Sequence, residues 1–134
     1  MEQRVIVAVD FDGVLCKNEF PEIGRTNYEV VSFVRRMQDA GVETILWTSR
    51  VGDRLAEAVY WCKDNGLHFS AVNANAPSNL EEYGSDPRKV FAHFYMDDQT
   101  PHFQWCVKHR GYENALEECV TTLRELLIKK GVKL

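Results

Sequence analysis

The stretch Val5-Ile6-Val7-Ala8-Val9-Asp10-Phe11-Asp12-Gly13-Val14-Leu15 decides the fold. Its first half is an unbroken apolar run rich in Val, which reads as a strand buried on both faces, the central one of a parallel sheet. The run stops at two acids one residue apart, followed by glycine. Asp and Gly are common turn formers after a strand, because the Asp side chain bonds its own backbone there. A turn alone does not call for two carboxylates. The carboxyl ends of parallel strands are also where open α/β sheets place their ligands. An EF-hand calcium loop opens D-x-D as well, but it needs Gly at its sixth position and Glu at its twelfth. Leu15 and Pro21 stand there, which argues against calcium of that type.

Outward from this strand, Cys16 to Arg25 contains Pro21 and Gly24 without a sustained period and reads as a loop or small hairpin. Thr26 and Glu29 have capping-box spacing, and Val30, Val31, Phe33, Val34 and Met37 follow at helical spacing as far as Gly41. This predicts a helix over residues 27–40. Val42 to Trp47 predicts a second strand, ending in Thr48-Ser49-Arg50. A second helix opens at Gly52 or Asp53, turns Leu55, Ala58, Val59 and Cys62 inward, and stops at Asn65-Gly66. His68 to Val72 predicts a short third strand. The polar connection Asn73 to Pro87 has room for one helical turn capped by Ser78 and Glu81. Val90 to Met96 predicts a fourth strand, ending in Asp97-Asp98. Gln99 to Tyr112 lacks a clear period and reads as irregular, with room for a short edge strand. Glu113 to Lys130 is an amphipathic helix closed by Gly131. Strands alternating with helices predict a parallel sheet covered by helices on both faces, in a single domain spanning residues 1–134.

Composition narrows the function classes. Hydrophobic residues make up 45% and charged residues 27%, ordinary values for a soluble globular chain. A net charge of −4 gives no electrostatic footprint for nucleic acid. Cys16, Cys62, Cys106 and Cys119 are scattered without a C-x-x-C pair; their count alone leaves disulfides or a zinc site open, and thiols in a reducing cytosol are the expectation. The opening Met-Glu-Gln-Arg lacks the form of a secretory leader, and its apolar run is too short to span a bilayer. A cytoplasmic protein without membrane contact is the expectation.

Three predicted strands end in chemically matched groups: Asp10 and Asp12, Thr48 and Ser49, and Asp97 and Asp98, with Arg88-Lys89 just before the last strand. A parallel sheet brings these ends to one edge. Crowded carboxylates repel one another unless a cation neutralises them. An oxygen-only ligand set selects Mg²⁺, which keeps waters and a substrate phosphate in its shell. Hydroxyls and strand-end backbone N–H groups suit a phosphate, and a lysine adds a point charge.

The order D-F-D-G-V, strand-Thr, Lys, strand-Asp-Asp resembles the four motifs of the haloacid dehalogenase (HAD) superfamily over residues 5–98, and Asp10 to Leu15 fit the first motif, D-x-D-x-[TV]-[LIV], throughout. The resemblance implies a Rossmann-like three-layer sheet of order 5-4-1-2-3 and phosphatase chemistry through an aspartyl phosphate. It implies Asp10 as nucleophile and Asp12 as acid, then base. Mg²⁺ would be held by the Asp10 carboxylate, the Asp12 backbone carbonyl, Asp97 and Asp98. Thr48, with the Ser49 N–H and Lys89, would bind the phosphate, Lys89 also neutralising Asp10. Arg88 is the alternative cation for that role.

The gaps after the first motif and after the third strand are too short for a folded cap, so the chain resembles small capless bacterial members. An open site suits a large phosphorylated substrate, or an oligomer in which a neighbour covers the cleft. The acidic balance favours a small phosphomonoester over a nucleic-acid end or a phosphoprotein. Arg25, Arg50, Asn73 and Asn75 stand at loop positions within reach of substrate and phosphate, although ordinary loop surface is the simpler account of each. Trp47 reads as core, and Trp61 as the margin of its helix or an oligomer contact. His68, His93, His102 and His109 show no metal-ligand spacing. A two-component receiver domain uses similar groups in a different order. A HAD-fold module without catalysis should lack one of the key residues, and none is missing.

Overall fold

The computed structural model describes residues 4–134; Met1 to Gln3, part of the segment read above for a leader, lie outside it. The opening apolar run forms β1 (Ile6–Val9), with all four residues buried. Parallel neighbours flank it on both sides: β4 (Glu43–Leu46), with Val9 opposite Leu46, and β6 (Phe94–Met96), with Val9 opposite Met96. The two-residue β5 (Ala71–Val72) extends the sheet beyond β4, giving the order β5-β4-β1-β6. A strand enclosed in this way needs apolar groups on both faces, hence the lack of alternation in its sequence. Between β1 and β4 the chain makes an antiparallel hairpin of β2 (Cys16–Glu19) and β3 (Glu22–Thr26), with a cis Phe20–Pro21 peptide at its turn. Gly24 allows the two strands to close, since a Cβ there would lie 2.1 Å from the Lys17 carbonyl oxygen.

The helices α1 (Tyr28–Asp39), α2 (Gly52–Asp64) and α5 (Tyr112–Lys129) contribute Val34, Met37, Ala58, Leu123 and Leu127 to the same core as Val5, Val7 and Val9. The opposite face, with Ile6, Ala8 and Ile45, is covered by Ala76, Val90 and Ala92 around the short α3 (Pro77–Tyr83). The result is an α/β fold with a four-stranded parallel sheet, consistent with a Rossmann-like architecture. No helix among the described residues is long and apolar enough to cross a membrane.

The capping box expected at Thr26 does not form. Thr26 belongs to β3, Asn27 is the N-cap, and no side chain caps α1. Asn27 instead donates to the Val14 carbonyl at 2.8 Å and to the Tyr112 hydroxyl at 2.9 Å. A missing cap costs about 1 kcal/mol. Val30, Val31, Phe33, Val34 and Met37 are all buried on this helix. Each such side chain contributes about 1.5–3 kcal/mol, so packing decides the helix.

Two other segments differ from expectation. The edge strand allowed for within Gln99 to Tyr112 is α4 (Pro101–Arg110), started by Pro101 and by Thr100, whose hydroxyl accepts from the Phe103 N–H at 3.3 Å. Gly111, at φ +89°, breaks α4 from α5. A fifth sheet strand, implied by the HAD resemblance, is not formed by the described residues. The fourth sheet strand is shorter than expected because residues 90–92 bend away: the Tyr95 hydroxyl accepts from the Ala92 N–H at 3.1 Å and donates to the Val90 carbonyl at 2.7 Å. His93 still continues the ladder. Its N–H donates to the Ile6 carbonyl, and its Nδ1 accepts from the Ile6 N–H at 2.9 Å.

Candidate metal centre at the strand ends

Asp10 follows β1 directly, and its N–H donates to the Met96 carbonyl at 2.9 Å, so the ladder delivers it beside Asp97. Carboxylate oxygens of Asp10, Asp97 and Asp98 lie within 4.8 Å of one another. Asp98 is buried and the other two are half-buried. Asp97 is fixed by the Gln99 N–H at 2.8 Å, and Gln104 of α4 holds the Asp98 carbonyl. Gly13 makes the cluster sterically possible. It has φ +91°, and a Cβ there would lie 2.1 Å from Asp98 Oδ2. The Gly13 carbonyl in turn accepts from the Tyr112 hydroxyl at 2.8 Å, tying the acidic loop to the start of α5. Burial first, then the hydrogen bond to Asn27 working the other way, leave the Tyr112 phenol at about 12. It therefore remains a donor at neutral pH.

Burial pushes the Asp10 carboxyl up to about 9, reinforced by its hydrogen bond with Asp98 and by the charges of Asp97 and Asp98. The Phe11 N–H opposes the shift from 2.9 Å. The bare cluster keeps a proton because Asp10 is buried and its acidic neighbours are close, and a divalent cation would offset both the burial and the repulsion. The three carboxylates supply only hard oxygen donors, partly exposed to solvent, and they fit Mg²⁺ with water completing its shell.

Asp12 points elsewhere. Its two oxygens accept from Arg50 Nε and Nη2, both at 2.8 Å. Arg50 is only 2% exposed. Its remaining N–H groups donate to the carbonyls of Pro21, Glu22 and Arg54, and its guanidinium lies over the Phe11 and Phe20 rings. The hydrogen bonds to Asp12 hold Arg50 above its already high ordinary value, so the guanidinium stays charged. Arg50, read from sequence as a phosphate contact, is thus a buried strut joining the acidic loop, the hairpin and α2.

Thr48 and Ser49 follow β4 on the strand beside Asp10. The Thr48 N–H donates to Asn73 Oδ1 at 2.8 Å, and its hydroxyl accepts from the Arg50 N–H at 3.1 Å. Ser49 is exposed. Arg88 and Lys89 are exposed, and among the described residues no ion pair joins either to Asp10. Arg25 pairs with Glu113 at 2.7 Å on the surface. Asn75 is buried and organises its own loop, donating to Asp86 and Pro87 and accepting from the Phe91 N–H. Trp47 is half-buried against the smaller core. Trp61 packs edge-on against Phe11, with centroids 5.3 Å apart. Tyr112, Asn27 and Gln104 support the site without having been singled out in the sequence. No local pattern marks them, because their roles arise from contacts across the fold.

Neither a family model nor a curated protein matches the chain. A solved structure described as a conserved protein coded by a locus of Bacteroides thetaiotaomicron is 34% identical, with a TM-score of 0.66 over 75% of this chain and 80% of that one. The chain belongs to that protein's family. The kinship carries the architecture.

Proposed function

We propose that this chain is a Mg²⁺-dependent phosphomonoester hydrolase of HAD type, acting through an aspartyl phosphate on Asp10. The observation that carries the proposal is the convergence of Asp10, Asp97 and Asp98 at the carboxyl ends of adjacent parallel strands. In this reading Asp10 is the nucleophile, and Asp97, Asp98 and the Asp12 carbonyl complete the protein's ligands for the ion. Bound Mg²⁺ shields the phosphate charge and stabilises the charge that develops during transfer. The Asp10 oxygen attacks phosphorus and the ester oxygen leaves. Asp12 protonates that oxygen, then takes a proton from the water that hydrolyses the acyl phosphate. Thr48 and the Ser49 N–H orient the phosphate. Lys89 would have to swing in from the surface to neutralise it. The excursions from the sheet, a hairpin and the segment around α3, are read as flaps, which makes this a capless enzyme. The net charge of −4 favours a small phosphorylated metabolite over a polymer.

The Arg50–Asp12 pair favours a second reading. Both Asp12 oxygens are engaged, so donating a proton requires the carboxylate to turn away from Arg50. A module that binds phosphate without turnover would need no such movement. Phosphate release from sugar phosphates, nucleotides, a chromogenic ester and phosphorylated oligonucleotides, with and without Mg²⁺, separates the two. The hydrolase reading expects Mg²⁺-dependent release that Asp10→Asn abolishes. Release that persists at wild-type rate in Asp10→Asn refutes the nucleophile assignment.

A further inference from the structure

A second group of metal-competent side chains shares no residue with the acidic cluster. His102 and Cys106 stand one turn apart on α4, and Glu118 faces them from α5. One ligand atom from each falls within 4.8 Å of the others. We propose that His102 Nε2, Cys106 Sγ and a Glu118 carboxylate oxygen form a Zn²⁺ site that clamps α4 to α5, with its fourth position open to solvent.

The spacing supports this. Ordinary Zn–S, Zn–N and Zn–O bonds in a tetrahedron place S and N about 3.5 Å apart, S and O about 3.5 Å, and N and O about 3.3 Å. Here Sγ to Nε2 is 3.6 Å and Nε2 to Glu118 Oε1 is 3.4 Å. Sγ to Glu118 Oε2 is 2.9 Å, so the carboxylate must withdraw from sulfur by about 0.6 Å to admit the ion. The carboxylate straddles the gap, one oxygen toward sulfur and the other toward nitrogen. A sulfur, nitrogen and oxygen set selects Zn²⁺ over Mg²⁺ or Ca²⁺, the opposite preference to the all-oxygen cluster at the strand ends.

The surroundings suit a bound ion. The His102 ring lies parallel to the Trp105 ring, with centroids 6.3 Å apart. Arg110 approaches Glu118 Oε2 at 3.6 Å and orients the carboxylate, as groups around metal ligands commonly do. Cys106 is buried while His102 is exposed, so the ion has an entry path on one side and a closed wall on the other. The two ligand-bearing helices are otherwise separated by the break at Gly111. A cation bridging them would stiffen the helix whose Gln104 holds the Asp98 backbone.

The test uses the full chain, stripped with a chelator and titrated with Co²⁺ in excess Mg²⁺, so that Mg²⁺ competes for the carboxylate cluster. The expected result is one equivalent of Co²⁺ giving thiolate-to-cobalt charge-transfer absorption, discharged by Zn²⁺. Cys106→Ser should remove the band and Cys119→Ser should keep it. His102→Ala, at an exposed position tolerant of substitution, should weaken Co²⁺ binding at least tenfold. Absence of the band, its survival in Cys106→Ser, or unchanged affinity in His102→Ala would overturn the proposal and leave a hydrogen-bonded helix pair. No phosphatase activity is read, so this test and the test of the strand-end site fail independently.

Discussion

Mg²⁺ binding at the strand ends should release a proton, and the amount can be worked from the site. Without metal the Asp10 carboxyl is raised to about 9 by burial, by its hydrogen bond with Asp98 and by the neighbouring charges. At pH 7 only about one Asp10 in a hundred is ionised, so apparent Mg²⁺ affinity is roughly 100-fold below its value at high pH, about 2.7 kcal/mol. Affinity should therefore rise nearly tenfold per pH unit between roughly pH 6 and 8, with close to one proton released per ion at pH 7. Calorimetric titration at pH 7 in buffers of different ionisation enthalpy counts the protons directly. The metal-free protein carries the same linkage with a defined sign. The folded state keeps a proton that an unfolded Asp loses above its ordinary 3.8, so this group's contribution to stability is greatest below that pH and declines as pH rises toward 9. Saturating Mg²⁺ should flatten the decline, and Asp10→Asn should remove it. Affinity constant between pH 6 and 8, or release of fewer than roughly 0.3 protons at pH 7, would refute the reasoning, because the cluster would then be ionised without metal.

Three further outcomes follow from named contacts. Gly13→Ala places a methyl against Asp98 at a left-handed backbone position; the backbone term alone costs about 1–3 kcal/mol, and Mg²⁺ binding followed by calorimetry should be lost even where the variant folds. Arg50→Ala leaves Asp12 without its partner and should cost about 3–5 kcal/mol in urea unfolding, with Arg50→Lys recovering only part because lysine cannot reproduce the two-pronged pairing; a loss under 1 kcal/mol in Arg50→Ala would contradict the strut. His93 is held below its ordinary value by burial, then by Lys130 and Arg4, while its Nδ1 accepts from Ile6. Its contribution to stability is present above pH 6.5 and lost as pH falls below that value, so His93→Asn, which keeps an acceptor, should flatten that part of the stability profile measured by thermal unfolding.

The central strand was legible because β1 is enclosed by parallel neighbours and therefore carries no polar alternation. The acidic positions were legible because strand ends are marked by an abrupt change from apolar to charged residues. Less was legible where a role depends on distant partners. The pattern Thr26 to Glu29 has capping-box spacing, but nothing local reveals that Asn27 is claimed by Val14 and Tyr112. Arg50 reads as a loop cation until the hairpin folds back to present the Pro21 and Glu22 carbonyls to it. The i, i+4 relation of His102 and Cys106 was invisible for a different reason: without a clear period over Gln99 to Tyr112, the helix that turns that spacing into adjacency was not predicted. Glu118 lies on the next helix, where sequence spacing carries no information about it.

The Arg50 contacts set what each of the two functional readings requires of Asp12. A guanidinium has five N–H donors. Nε and one Nη2 donor go to Asp12, the other Nη2 donor goes to Glu22, and Nη1 serves Pro21 and Arg54, so every donor is used. The three carbonyl contacts keep Arg50 in place if Asp12 turns away, but two donors then lose charged acceptors in a buried setting, at about 1.5–3 kcal/mol each. Substrate binding must offset that cost, through a phosphate oxygen or an ordered water taking the vacated place. Hydrolysis therefore makes the Asp12–Arg50 pair exchange partners during turnover, whereas a binding module leaves it intact. A crystal structure with Mg²⁺ and a trigonal-bipyramidal phosphate mimic at Asp10 would distinguish them. Asp12 turned from Arg50 toward the apical oxygen fits the hydrolase, and Asp12 still paired through both oxygens would remove its role as acid and base.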